Sequence, residues 1–198
     1  MHTADWFRPI SQEILSDDWG VLTKHAFELR RRDGQWQRQT RETYDRGNGA
    51  TCLLYNAGTD TVLLTRQFRL PVFVNTGLEA LIETPAGLLE GEGAEDRMRA
   101  ELFEETGYRV QTLTHLFDVF MSPGSVTEYL AFFMGTYTAS DQVSDGGGAF
   151  DEGEDIEVSE IPLGKAMEMI ETGDIRDAKT IILLQRLWIE RLTAQAAG

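Results

Sequence analysis

Three glutamates near the middle of the chain, Glu101, Glu104 and Glu105, have the residue type and the spacing of a metal site. Residues 94–103 predict a helix that Gly107 ends, and spacings of three and four residues would bring the three carboxylates onto one helical face. Like charges placed this way cost roughly 0.2–0.5 kcal/mol per pair. A divalent cation would turn that repulsion into shared attraction. The alternative is an ordinary solvated acidic face.

The composition is that of a globular chain with a strongly acidic balance. It has 198 residues, 41% of them hydrophobic and 26% charged, which suits one sizeable domain with a small N-terminal addition. The formal net charge of −15 argues against binding to nucleic acid or to an anionic membrane surface, because both need basic patches. An anionic substrate remains compatible with this charge if metal ions and a few Arg or Lys side chains supply local positive potential.

The sequence shows no sign of export or membrane insertion. No stretch reaches the roughly 20 apolar residues that span a bilayer, and the N-terminus lacks the basic and apolar regions of a signal peptide. The single cysteine, Cys52, lies in an apolar run and is expected to be a small buried hydrophobe. We therefore expect a cytoplasmic protein.

Strand and helix patterns interleave along the chain, which predicts an α/β fold with a mixed sheet between helices. Strands are predicted at 21–30, 35–44, 50–55, 61–68, 78–83, 110–120, 127–138 and 156–161. Beyond the helix with the glutamates, two amphipathic helices are predicted at 163–172 and 177–194. The stretch 139–154 is rich in Ser, Gly and Asp and is expected to be a long mobile loop.

Several other side chains could bind a phosphorylated substrate. Arg41 and Arg69 are candidates because one guanidinium can bridge two phosphate oxygens, although either could equally pair with a nearby acid. Lys179 lies near the predicted start of the last helix, where a cation is unfavourable, and this favours a role in binding. Trp19 could stack on a base or lie in a core or interface. Glu128 could accept a hydrogen bond from a sugar or a base, or simply end a strand.

The stretch around the glutamates resembles the signature of the Nudix hydrolases. That pattern is Gly, five residues, Glu, seven residues, and then Arg-Glu-apolar-any-Glu-Glu-any-Gly-apolar. There are two departures, since Gly87 and Glu92 are one residue too close and Ala100 stands where the family has arginine. Arg97 or Arg99 could take over the orienting role of that arginine.

The resemblance extends over nearly the whole chain. Further segments look together like the GDP-mannose pyrophosphatase branch of the family, which is close to the ADP-ribose pyrophosphatases. These segments lie at 41–50, 66–69, 121–128, 146–148, 155–158 and 173–180. The shortened signature and the displaced arginine also look like features of this branch.

The resemblance implies a fold and an assembly. Residues 47–198 are expected to form a Nudix α/β/α sandwich with a mixed β-sheet, and residues 1–46 an N-terminal β extension used in dimerisation. The implied assembly is a homodimer in which the N-terminal strands of one subunit contribute to the site of the other. Trp19, Arg41 and Glu42 are then expected to serve the partner's site.

The resemblance also implies the ligands of a metal. Glu101, Glu105 and the backbone carbonyl of Ala86 match the metal ligands of the family, and Glu104 is expected to be a further ligand or to reach the metals through water. Oxygen-only ligands suit a hard cation, Mg²⁺ with Mn²⁺ as a substitute.

Catalysis is expected to depend on Glu105 and on a glutamate of the loop 139–154. Counting back from residues 156–158 matches Glu154 to the family's loop glutamate, which is both metal ligand and general base. Glu152 competes because the loop length differs. The implied substrate contacts are Trp19, Arg41, Glu42, Arg69, Ala86, Gly87, Glu128 and Lys179.

The implied reaction is Mg²⁺-dependent hydrolysis of GDP-mannose to GMP and mannose 1-phosphate, by attack of water on phosphorus. Two alternatives stand beside it. ADP-ribose could be the substrate, giving AMP and ribose 5-phosphate, or the domain could bind a nucleotide without turnover. The intact glutamates and the lack of a basic helix-turn-helix segment argue against the second alternative.

Overall fold

The chain divides into two compact units. The computed structural model describes residues 4–89, 91 and 93–197, apart from the side chains of Glu152 and Ala197, so Glu92 of the signature lies outside the described residues. The first unit comprises the chain up to Asn48 together with Phe120–Tyr129, and the second comprises Gly49–Val119 and the chain from Leu130 onward.

The first unit contains an antiparallel sheet in the order β1–β2–β3. Its strands are β1 (Phe7–Asp17), β2 (Val21–Arg30) and β3 (Trp36–Asp45). The β2–β3 hairpin agrees with the predicted strands to within one residue. The sequence did not predict β1, because its side chains are almost all exposed and so show no apolar alternation.

The second sheet has β4 and β5 at its centre, and both strands are mostly buried apolar runs. Its strands are β4 (Gly49–Asn56), β5 (Thr61–Gln67), β6 (Leu81–Glu83), β7 (Ala86–Leu88), β8 (Leu113–Phe120), β9 (Tyr129–Thr136) and β10 (Glu157–Pro162). The order is β10–β5–β4–β9–β8, with β6 paired to β5 and β7 to β4. The β4–β9 pair is parallel and the β4–β5 pair antiparallel, so the sheet is mixed, as predicted.

Four helices accompany this sheet in the described part of the chain: α1 (Leu70–Thr76), α2 (Ala94–Thr106), α3 (Leu163–Thr172) and α4 (Ala178–Ala197). The sequence did not predict α1, which has only seven residues and no buried one, too little for a helical period to show. The predicted loop contains short 3₁₀ turns at Ala139–Asp141 and Phe150–Glu152. None of the described helices is both long enough and apolar enough to cross a membrane.

Helices cover both faces of the sheet. Successive side chains of β4 point to opposite faces, and each face packs against a different helix. Cys52 packs in one core cluster with Met98 of α2. Its neighbour Thr51 points to the opposite face, where its hydroxyl bonds to that of Thr84 at 2.9 Å. Thr84 in turn donates its backbone N–H to Thr180 of α4 at 2.7 Å. The predicted α/β/α sandwich is therefore confirmed.

Candidate active site

Helix α2 carries the signature glutamates and ends where Gly107 adopts a left-handed backbone, with φ of 78°. Glu101 and Glu105 are buried, like the apolar residues of the helix that face the sheet. Glu104 instead has a side chain that is 43% exposed. The sequence predicted all three on one face. Consecutive residues of a helix are about 100° apart, however, so Glu104 and Glu105 diverge.

Strand β7 lies directly against Glu101. A Cβ atom built on Gly87 would stand 1.7 Å from Oε1 of Glu101, so any larger residue at this position would displace the Glu101 carboxylate. Pairing with β4 holds the strand in place, with Ala86 opposite Thr51 and Gly87 opposite Ala50. The backbone of β7 and the Glu101 carboxylate are therefore close neighbours.

Arg97 supplies the positive charge beside these glutamates. Its guanidinium lies 2.5 Å from Oε1 of Glu101 and 3.9 Å from Oε2 of Glu104. Arg99 instead pairs with Glu95 and donates to backbone carbonyls that follow the helix. Of the two arginines considered from the sequence, the structure brings Arg97 to the glutamates.

The carboxylate of Glu105 is buried and only partly compensated. The residue is 1% exposed, and its Oε2 has no hydrogen-bond partner among the described residues. Burial, and then the charges of Glu101 and Glu154, raise the pKa of Glu105 well above its ordinary value, although Arg69 acts in the opposite direction. A buried polar atom without a partner costs free energy, so this position favours a bound cation.

The donors around Glu105 fit a hard divalent cation. Glu101 and Glu154 lie close enough to act on the pKa of Glu105, and all the donors are oxygens. A cation would satisfy Oε2 of Glu105 and reverse the repulsion between the acids. Across residues 4–89, 91 and 93–197, no three His, Cys, Asp or Glu side chains are already arranged to hold a metal ion, and Glu101 is engaged by Arg97.

The loop between β9 and β10 docks on the C-terminal end of α2. The backbone N–H of Gly147 donates to the Glu105 carbonyl at 2.9 Å, and that of Gly148 to the Glu104 carbonyl at 3.1 Å. These bonds satisfy carbonyls that the end of a helix leaves free. The sequence showed only a glycine run at 146–148 and did not predict this docking.

The two candidate loop bases differ in what the structure describes. The carboxylate of Glu154 is half-buried and accepts the backbone N–H of Ala149 at 2.9 Å. It also contributes to the raised pKa of Glu105, so it lies near the helix glutamates. The side chain of Glu152 lies outside the described part of the chain. The choice of Glu154 stays a prediction.

Arg69 and Lys179 meet at one buried carboxylate, that of Glu83. Nε and Nη2 of Arg69 lie 3.0 and 2.9 Å from the two Glu83 oxygens, and Nζ of Lys179 lies 3.0 Å from Oε2 of Glu83 and 3.1 Å from Oδ2 of Asp177. We call these four residues the ion network. Arg69 and Glu83 also act on the pKa of Glu105. The sequence pointed to the two cations but not to the two acids, which carry no distinctive pattern.

The first unit holds the other predicted substrate contacts. Trp19 follows β1 and is 79% exposed. Arg41 and Glu42 are exposed on β3. Glu128 pairs with Arg46 at 3.3 Å. Their predicted roles stay predictions.

Matches to known protein families cover nearly the whole chain. Residues 7–44 match the GDP-mannose pyrophosphatase NudK N-terminal domain, and residues 45–184 match the NUDIX domain. The proteins called GDP-mannose pyrophosphatase in Escherichia coli O1:K1 and Shigella dysenteriae serotype 1 are each 50% identical over 185 residues, covering 92% of this chain and 95% of theirs. The protein of that name in Pectobacterium atrosepticum is 51% identical over 178 residues, covering 89% and 91%.

The fold also matches a solved structure described as an ADP compounds hydrolase. The TM-score is 0.69, and the match covers 97% of this chain and 98% of that one at 18% identity, which shows a shared fold. The resemblance that the signature indicated is confirmed by the family match over residues 45–184. The chain therefore belongs to the Nudix hydrolase family, in the branch that carries the GDP-mannose pyrophosphatase N-terminal domain.

Proposed function

We propose that this chain hydrolyses the diphosphate bond of GDP-mannose in a Mg²⁺-dependent reaction that releases GMP and mannose 1-phosphate. Relatives named GDP-mannose pyrophosphatase are 50% identical over 92% of the chain. The structural observation that carries the proposal is Glu105, whose buried carboxylate has one unpartnered oxygen and acidic neighbours. Such an arrangement favours a divalent cation at the place where a diphosphate would bind.

The residues that would hold Mg²⁺ are all oxygen donors. They are the carboxylates of Glu101, Glu104, Glu105 and Glu154 and the backbone carbonyl of Ala86. Mn²⁺ would be the natural substitute, because both ions accept such ligands. When bound, the cation neutralises diphosphate oxygens and makes a water molecule a better nucleophile.

The diphosphate is bound by a few basic side chains in an otherwise acidic chain. A net charge of −15 repels an anionic substrate at long range, so local cations must overcome it. Arg69 and Lys179 are held at one carboxylate, so two cationic hydrogen-bond donors lie at one place. In the proposed homodimer, Arg41 of β3 contributes a third cation to the site of the other subunit, and a guanidinium can contact two phosphate oxygens at once.

Glu154 accepts the proton of the attacking water. Its loop is docked on α2 through the glycines at 147 and 148, and its charge acts on Glu105, so it lies near the helix glutamates. Water attacks phosphorus directly, with no covalent intermediate. The leaving group is a phosphate, which needs little protonation. Glu152 is the competing assignment for the base.

A second copy of the chain completes the site. Strand β1 is at the edge of its sheet and exposes Ile14, with 62% of its surface accessible, as well as other apolar side chains. An exposed apolar edge strand favours association. In the resulting homodimer, Trp19 stacks on the base, Arg41 and Glu42 contact the substrate in the partner's site, and Glu128 accepts a hydrogen bond from the sugar or the guanine.

Subunit exchange tests the shared site. Arg41→Ala and Glu101→Gln, each inactive alone, should together regain roughly a quarter of wild-type activity, since half of the dimers are mixed and each mixed dimer has one intact site. Glu101→Gln mixed with Glu105→Gln is the matched control and should regain nothing, because both changes lie in the same helix. No recovery in the first mixture, with exchange verified by differently tagged subunits, would contradict the shared site.

A panel of sugar nucleotides tests the reaction. Purified protein is incubated with GDP-mannose, ADP-ribose and other sugar nucleotides, each with Mg²⁺ and with a chelator, and the products are separated by chromatography. We expect preference for GDP-mannose and formation of GMP only with metal. Preference for ADP-ribose would show that the substrate assignment is wrong, while the proposed type of reaction, hydrolysis of a diphosphate bond, would stand. Tight binding without turnover of any compound would identify a binding module instead.

A further inference from the structure

We propose that Glu83 is a positioning residue, which holds Arg69 and Lys179 so that their remaining donors contact the same diphosphate. This inference rests on the proposed function, since it assigns both cations to the substrate. Glu83 itself would not touch the substrate, because its side chain is only 2% exposed.

Both oxygens of the Glu83 carboxylate bind Arg69, and one of them also binds Lys179. Arg69 binds the carboxylate side-on, through Nε and Nη2, and leaves its Nη1 without a hydrogen bond to any described residue. The Arg69 side chain is 36% exposed, so the guanidinium has a held edge and an open edge. Nζ of Lys179 lies between Oε2 of Glu83 and Oδ2 of Asp177, so its position is defined from two sides.

The backbone around Glu83 is fixed by its own bonds. Strand pairing places Glu83 opposite Thr65, whose hydroxyl donates to the Glu83 carbonyl at 3.2 Å. The next residue, Thr84, donates its N–H to Thr180, which follows Lys179 in α4. The carboxylate and the ammonium group therefore sit on segments that are bonded to each other.

The charge balance of the ion network favours a role in positioning Arg69 and Lys179 over a role in stabilising the fold. The two cations, Arg69 and Lys179, are balanced by the two acids, Glu83 and Asp177, so the network carries no net formal charge. Burial alone would raise the pKa of Glu83, but Lys179 and Arg69 lower it below its ordinary value, so the carboxylate is ionised at neutral pH. Replacing buried ion pairs by apolar residues is often neutral for stability, whereas their geometry is specific.

The test is the Michaelis constant of Glu83→Gln with GDP-mannose. Glutamine keeps the shape of the side chain but removes its charge and replaces one acceptor oxygen by an NH₂ donor, so either Nε of Arg69 or the pair formed by Nη2 of Arg69 and Nζ of Lys179 loses its acceptor. If Glu83 positions them, KM should rise roughly 10–100-fold, the range seen when a partner that orients a ligand is removed, with a smaller change in kcat. If Glu83 merely neutralises positive charge, its removal should strengthen diphosphate binding and KM should fall, which overturns the proposal.

Two further variants complete the design. Glu157→Gln removes an acid from the exposed Arg66–Glu157 pair on the same sheet and should leave KM unchanged. In a Lys179→Met background, Glu83→Gln should raise KM by less than it does alone, because part of its effect passes through Lys179. Fully additive effects would overturn the inference. If Glu83→Gln does not fold, as thermal unfolding would show, Glu83→Asp replaces it, and a wild-type KM for that variant would also overturn the inference.

The design separates this inference from the proposed function. Wild-type turnover of GDP-mannose with an unchanged KM in Glu83→Gln overturns the positioning role alone. If the wild-type chain binds GDP-mannose without turnover, the proposed reaction fails, and the same variants are compared by dissociation constant in calorimetry. Absence of both binding and turnover in the wild type overturns both proposals.

Discussion

The acidic end of α2 and the ion network bury charged side chains in the same unit but balance them differently. In the ion network, each carboxylate lies within 3.1 Å of a cation. At the end of α2, Arg97 reaches Glu101 but Glu105 keeps a buried oxygen without a partner among the described residues. The carboxylates of the ion network are all paired, whereas the end of α2 leaves a buried acceptor oxygen for the ligand that we propose.

The difference shows how a buried charge can mark a binding site. A polar group taken out of water needs a partner, and in the ion network the chain supplies it. Where the chain supplies too few, we propose that the missing partner is a ligand of opposite charge, at Glu105 a divalent cation. We propose that the ion network faces the anionic substrate for a different reason, because the Arg69 side chain is still 36% exposed.

The largest effect is expected at Glu105. Glu105→Gln should lower turnover by orders of magnitude and weaken Mg²⁺ or Mn²⁺ binding, measured by calorimetry. Without metal the same variant should be more stable, because glutamine removes the charge repulsion between Glu105 and its neighbours Glu101 and Glu154. If this variant binds the metal with wild-type affinity, Glu105 is not a metal ligand. The proposed difference between the two regions would then be wrong.

A second large effect is expected in the loop that docks on α2. Glu154→Gln should lower kcat by about 10²–10⁴-fold with little change in substrate affinity, as expected when a general base is lost. Asp155→Asn, an exposed acid next to it, is the matched control and should behave like the wild type. The same loss in Glu152→Gln, with Glu154→Gln active, would show that the base was assigned two positions too late in the loop.

A smaller effect is expected from the arginines of α2. Arg97→Ala should lower kcat/KM roughly 10–100-fold, because Arg97 orients Glu101 and Glu104. Arg99→Ala should leave kcat/KM unchanged and reduce only the free energy of unfolding, since its partners are Glu95 and two carbonyls. Steady-state kinetics and urea unfolding of both variants make the comparison. Equal losses of kcat/KM in the two variants would contradict the prediction that Arg97, and not Arg99, orients the glutamates.

The smallest effect is expected in the pH dependence of stability. The pKa of Glu83 is lower in the folded chain than its ordinary value of 4.5, because Lys179 and Arg69 overcome the effect of burial. A lowered carboxyl pKa contributes stability above pH 4.5, and the contribution is lost as the pH falls through the folded value. The difference in unfolding free energy between wild type and Glu83→Gln should therefore shrink below pH 4.5 and stay constant above it. A difference that grows on acidification would contradict this.

Much of the fold was readable from local pattern. Helix α3 was predicted at its observed ends, and β2 likewise, because each has a clear period or alternation. The elements that were missed, β1 and α1, bury almost nothing and so leave no pattern. Residues 86–88 were not predicted to be a strand but form β7, because β4 offers them hydrogen bonds that no local signal reports.

The amino-acid sequence already contained the family, the acidic helix and the cations of the site, because a signature motif and charged residue types are local properties. It left open whether Arg97 or Arg99 faces the glutamates, and it gave no sign of Glu83 as the shared partner of Arg69 and Lys179. Those answers depend on which segments pack together. Glu83 and Lys179 are far apart in the chain, and only the pairing of β6 with β5 and the docking of α4 through Thr84 and Thr180 bring their charges within 3.0 Å.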